Sequence, residues 1–370
     1  MANVPRQVLL VGSVPLRPAA AVFETVARHL GPLAPRIPDG EQIGWLRAAF
    51  ESFASHPMLE VSRQVALDAG GKVPLDIYRL KSRYTVADLK LGPYGFAANA
   101  KRSYEQFRML RHQGKIPAET RFQATLPGPG TSAYVIELPP EQLLPIAREA
   151  LAREIAEMVA AIPADDLCIQ LDIAMEAEHE EYLRRPEAWD QPIHKVFHWT
   201  LEQMAESAAW LANQVPSRVQ VGFHICSIWH HDTGAGQDNR VLVDAANAIL
   251  SRVKREIGYV HIPVIPDHEQ ADYDVLRELR LPRGAHLYLG LINLADGLEG
   301  ARRRVNMARK AVPAFGVAMF CGLGRAPATM MAGQTPQPAV PALRRATPET
   351  IDEVLELHKA VALIPLSLRG

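Results

Sequence analysis

The chain has 370 residues, 40 basic against 41 acidic side chains and a net charge of -1, with 48% hydrophobic and 22% charged residues. That length suits one large domain, and the balance excludes both a disordered chain and the strongly basic surface that nucleic acid requires. The cysteines, Cys168, Cys226 and Cys321, are too few and odd in number for a disulfide framework. With no signal-peptide order at the amino terminus and no apolar run of membrane-spanning length, a cytoplasmic protein away from membranes is expected.

Val8 to Val14 is a first apolar strand, and an Ala-rich helix from Pro18 to Leu30 is closed by Gly31-Pro32. Residues 32–75 do not fit a minimal repeat and read as an insertion, or lid, over the first strand, with a turn at Pro38-Asp39-Gly40-Glu41 and a helix at Trp45 to Phe53. Asp76 to Lys81 is the weakest candidate, for a second strand. A helix over Ala98 to Gln113 leads to a third strand, Arg121 to Leu126, and a long helix over Glu141 to Ile162 leads to the fourth, Leu167 to Ile173. A helix around Trp199 to Gln214 precedes the fifth strand, Val219 to Ile225, and another from Arg240 to Ile257 precedes the sixth, Tyr259 to Ile265. Asp274 to Leu279, a seventh strand at His286 to Asn293, a helix at Leu298 to Val312 and an eighth strand at Phe315 to Phe320 follow. Ala326 to Ala342, rich in Pro, Ala and Gln, reads as a surface loop, and the last helix starts from Thr347 as N-cap with Pro348 behind it.

Eight strand candidates, each followed by a helical segment, predict an α/β chain folded as a single TIM (β/α)8 barrel spanning residues 1–370. A doubly wound sheet is disfavoured because no Gly-x-Gly-x-x-Gly follows the first strand. Polar residues gather at the carboxyl ends of the strands: Ser13, Asp172, His224 with Cys226, His261, Asn293 and Cys321. Barrel active sites are built on that rim. Cys168 and His286, at amino ends of strands, read as structural.

Val219 to Asp232 carries the sharpest signal. Side chains two apart on a strand share a face, so His224 and Cys226 are placed to grip one ion, and an imidazole beside a thiolate favours zinc. Taken alone the pair is better read as core, since buried Cys is commonly a small hydrophobe. Cys321 at the end of the eighth strand would converge on the same mouth as a third ligand. An alternative keeps the metal but uses it to activate water or polarise a carbonyl, giving a hydrolase or lyase; two thiolates argue for thiol chemistry instead.

The His-x-Cys after the fifth strand, with Cys321-Gly322-Leu323 ending the eighth, resembles the carboxyl-terminal catalytic barrel of cobalamin-independent methionine synthase. It is similar also to other zinc thiol-alkyltransferases of that superfamily, whose members include epoxyalkane coenzyme M transferases and metal-free uroporphyrinogen decarboxylases. Val11-Gly12-Ser13 is similar to the Ile-Gly-Ser of the family's first strand, Leu126-Pro127-Gly128-Pro129 to its Thr-Gly-Pro, and Ile169-Gln170-Leu171-Asp172 to its Gln-Ile-Asp-Glu-Pro. The resemblance implies a methyl or alkyl transferase that activates a thiol acceptor as a zinc thiolate. Its metal ligands would be His224, Cys226, Cys321 and His261, the last standing near the position of the family's ligand Glu, or the first three alone with an open fourth position. Substrate-binding residues would be Ser13, Gln123, Asp172, Asn293 and Arg325, and one of His230, His231 and Asp232 would supply a proton to the leaving group or fix the tautomer of His224. The partners implied are a small-molecule thiol and an alkyl donor, a methyl-folate among the candidates. A metal-free decarboxylase relative or a binding barrel is the third reading. Ile173 stands where the family has an acid beside the Asp, which removes a partner of the acceptor's amine and points away from homocysteine; such a loss costs on the order of 3 kcal/mol.

Overall fold

The computed structural model describes residues 6–39, 46–66, 74–186, 196, 198–226, 238–264, 269–323 and 346–365. In chain order the elements are β1 (Val8–Leu9), α1 (Ala19–Leu30), β2 (Arg36–Pro38), α2 (Leu46–Ala54), β3 (Leu59–Ala66), β4 (Pro74–Leu80), α3 (Phe96–His112), β5 (Arg121–Pro127), α4 (Pro129–Ala133), α5 (Pro140–Ala161), β6 (Leu167–Ile173), α6 (Met175–Arg184) and α7 (Leu201–Gln214). They continue with β7 (Gln220–Ile225), α8 (Asn239–Leu250), β8 (Tyr259–Pro263), α9 (Gln270–Asp274), β9 (His286–Ile292), α10 (Gly297–Ala311), β10 (Gly316–Met319) and α11 (Ile351–Ala362). Eight strands form one sheet in the order β1-β10-β9-β8-β7-β6-β5-β2, every recorded pairing parallel. Because the first strand lies beside the last, the sheet curls into a TIM-type barrel, as expected from the sequence.

Strand alternation separates two environments. On β6 and β7, Ile169, Leu171, Val221 and Phe223 join the apolar shell shared with the helices, while Cys168 belongs to a second cluster with Leu9, Val11, Tyr259 and Tyr288 inside the barrel. The period of two therefore puts Cys168, Gln170 and Asp172 of β6, and Gln220, Gly222 and His224 of β7, on the inner face. Gly222 is required there, because a Cβ would come within 2.1 Å of the Tyr259 ring.

The lower part of the interior is a polar network. Arg36 donates to Gln220 at 2.6 Å and to the Tyr288 hydroxyl at 3.2 Å, and its guanidinium lies over the Tyr259 ring at 4.5 Å. Above it, Gln123 donates to the Leu10 carbonyl at 3.0 Å and to Gln170 at 3.2 Å. Buried polar groups are costly unless bonded, and these are bonded to one another across the barrel. Burial pushes the Cys168 thiol up to about 11, in keeping with an inert core residue.

Two assignments from sequence change. The second barrel strand is Arg36–Pro38, paired with β5, and not Asp76 to Lys81. The latter lies largely in β4, which pairs antiparallel with β3 in a hairpin outside the barrel. Three residues are too short a run to show alternation, whereas the hairpin strands show it at length. The excursion from the barrel thus begins after β2, inside the segment 32–75 expected to be an insertion, and continues past it through β4. It is pinned to the loop following α4, where Tyr78 donates to Val135 and accepts from Glu137, each at 2.8 Å. Phe53 packs edge-on against Tyr78 and Tyr94 beneath it. At the other end of the chain, Thr347 opens a turn that Thr350 closes, and Thr350 rather than Thr347 sits at the cap of α11. No helix among the described residues is long and apolar enough to cross a membrane.

Candidate metal centre

His224 is the fifth residue of β7, pointing inward, and the backbone N–H of Cys226 donates to Ile173 on β6 at 2.8 Å. That bond carries the ladder past the end of β7 and fixes the thiol at the rim, 3% exposed. Cys321 arrives from the bend after β10. One ligand atom each from His224, Cys226 and Cys321 lie within 4.8 Å of one another. Residues separated by nearly a hundred positions meet because both strands end on one face of the barrel. A buried imidazole with two thiols is a donor set matched to a borderline or soft cation, with zinc the best fit among common divalent metals.

His261 is the register partner of His224 on β8, and both rings are fully buried. Their Nδ1 atoms stand 2.7 Å apart. Burial, and next the neighbouring His224, hold the His261 imidazole well below the usual histidine range, against the opposing effect of the Met319 backbone. His261 does not join the three close donors.

Asp172 also pairs in register with His224, from the opposite side on β6, and accepts from the Gln170 amide at 2.8 Å. Ser13 reaches the same end of the barrel: Gly322, next to Cys321, lies so close that a Cβ there would stand 2.9 Å from Ser13 Oγ. Asn293 follows the last residue of β9 and folds its side chain back onto the backbone N–H of Ala295 at 3.0 Å. Gln123, expected as a substrate contact, sits deeper in the barrel. It pairs with Cys168, four residues short of the Pro127–Asp172 pair, roughly 13 Å down the barrel, and its amide is engaged with Leu10, Gln170 and Tyr259. His230, His231, Asp232 and Arg325, as well as Glu41, lie outside the described residues.

The sequence reading passed over α6, whose string of Glu and His resembles a solvated helix. Glu176, Glu178, His179 and Glu181 are all buried there. Glu176 accepts from the Thr131 N–H at 3.0 Å and from its hydroxyl, locking the loop after β5 against the start of α6. Burial raises its carboxyl above the ordinary range, against the lowering effect of the Thr131 hydroxyl and backbone. The signal was the Gly128-Pro129-Gly130 run: a Cβ at Gly128 would meet a Glu176 oxygen at 2.5 Å.

No protein-family model matches the chain, and no curated relative matches it in sequence. Solved structures do. A B12-independent methionine synthase from Shewanella sp. W3-18-1, in complex with selenomethionine, superposes with a TM-score of 0.56 at 14% identity, over 98% of this chain and 97% of the other. A putative vitamin-B12 independent methionine synthase from Listeria monocytogenes gives the same TM-score and identity over 98% of each chain. The chain thus shares the fold of methionine-synthase-like barrels along nearly its whole length.

Proposed function

We propose that this protein is a zinc-dependent methyl or alkyl transferase whose acceptor is a small-molecule thiol. The observation that carries the reading is the convergence of His224, Cys226 and Cys321 within 4.8 Å at the carboxyl ends of β7 and β10. The similarity in fold to the methionine synthases supports it. Zinc held by these donors would deprotonate an entering thiol while leaving its sulfur nucleophilic near neutral pH.

The remaining roles fall to the chain's own residues. Asp172, held by Gln170 and next to His224 in register, binds a cationic group of the acceptor, and Ser13, packed against Gly322, contacts its polar end. Because Ile173 is apolar, Asp172 is the acceptor's acidic partner on this strand, which favours a thiol less dependent on an ammonium than homocysteine. Asn293 and Arg325 contribute polar contacts from the ends of the last two barrel strands. His230, His231 or Asp232 donates the proton that the departing group of the alkyl donor requires. The insertion that includes the β3–β4 hairpin serves as the cover that excludes water.

The test is the zinc content of purified protein, followed by zinc-edge X-ray absorption with homocysteine, glutathione or coenzyme M. The reading expects stoichiometric zinc that Cys321→Ser loses, and an added sulfur scatterer with the true acceptor. Wild-type protein that takes up no zinc would overturn it.

A further inference from the structure

We propose that His261 is a positioning residue for His224 and not a metal ligand, so that the chain supplies three donors and leaves the fourth position to the substrate thiol. This rests on the zinc reading above and specifies its coordination.

Distance separates the two roles. Two nitrogens bound to one tetrahedral zinc at about 2.05 Å each stand about 3.3 Å apart. The Nδ1 atoms of His224 and His261 are 2.7 Å apart, the separation of a hydrogen bond. With Nδ1 of both rings committed to that contact, His224 can ligate only through Nε2. His261 is also absent from the set of donors that come within 4.8 Å of one another, although it is as deeply buried as His224.

The direction of the hydrogen bond follows from valence. A neutral imidazole that ligates through Nε2 carries its proton on Nδ1, so His224 donates and His261 accepts. His261 then carries its own proton on Nε2. The contact thus ties β8 to the strand that carries two of the three donors. It fixes one tautomer and one ring orientation. Second partners of this kind typically alter metal affinity by roughly 10–100-fold when removed.

The experiment combines chelator competition for zinc with zinc-edge X-ray absorption on wild type, His261→Ala and His261→Asn. Asn places an amide oxygen where it can accept the same Nδ1–H. The expected result is an absorption spectrum with the sulfurs of Cys226 and Cys321 and a single imidazole in all three proteins. Zinc affinity should fall by roughly 10–100-fold in His261→Ala and recover in His261→Asn. Two imidazoles in wild type, one of them lost in both variants, would make His261 a ligand and overturn the inference while leaving the zinc reading intact. Absence of zinc from wild type would instead remove the zinc reading itself, and this inference with it.

Discussion

The Gln170 side-chain nitrogen donates to Asp172 at 2.8 Å and to the Val11 carbonyl, while its oxygen accepts from the Tyr259 hydroxyl at 2.8 Å. One amide therefore joins the rim acid to the barrel's interior. Gln170→Leu leaves buried polar partners unmatched and is expected to cost on the order of 3 kcal/mol, read by urea unfolding. A change under about 1 kcal/mol would show that the network adapts to the loss.

Clearance around the loop after β5 makes a paired prediction. Gly128→Ala would set a Cβ 2.5 Å from a Glu176 oxygen and 3.0 Å from Ile173, whereas Gly12→Ala meets nothing within 4 Å. Thermal unfolding is expected to show the first destabilised by about 1–3 kcal/mol and the second nearly unchanged. Equal effects would contradict the packing described.

His358 on α11 is fully buried, bonds its Nδ1 to the Val354 carbonyl at 2.7 Å, and is lowered by burial to about 4 from 6.5. The folded state thus keeps this imidazole neutral while the unfolded chain protonates it. Its contribution to stability is complete above pH 6.5 and is lost as pH falls towards 4, about 3 kcal/mol in all. Unfolding free energies of wild type and His358→Leu, measured between pH 7 and about 4, should differ in slope in that direction. Parallel curves would exclude the linkage.

The three thiols should react in an order set by exposure. Cys321 is partly exposed, Cys226 is buried at the rim and Cys168 lies inside the barrel with its thiol raised to about 11. A thiol reagent on metal-free native protein is expected to modify Cys321 first and Cys226 slowly, and to reach Cys168 only on unfolding. Saturating zinc should protect the first two. Protection of Cys168 alone would place the metal elsewhere.

The barrel was legible because β6, β7 and β9 are long apolar runs closed by polar residues, and His224 and Cys226 could be put on one face by the period of two. β2 was not: three residues show no period, and the longer hairpin strand β4 took its place in the count. The inner layer escaped for a different reason. Arg36 and Tyr259 look like ordinary polar residues until the sheet curls and brings them together. His261 was found, but its relation to His224 depends on a distance between neighbouring strands that no spacing along the chain encodes. The buried face of α6 was hidden by its charge.

Among the described residues seven strand-to-strand ladders join the eight strands, and β1 and β2 are the two ends of the sheet. Side chains of β5 and β6 reach through the lumen to the segment after β1, Gln123 to Leu10 and Gln170 to Val11. A hoop fastened by a clasp opens at the clasp. Amide hydrogens along β1 should therefore exchange with solvent sooner than those of β7.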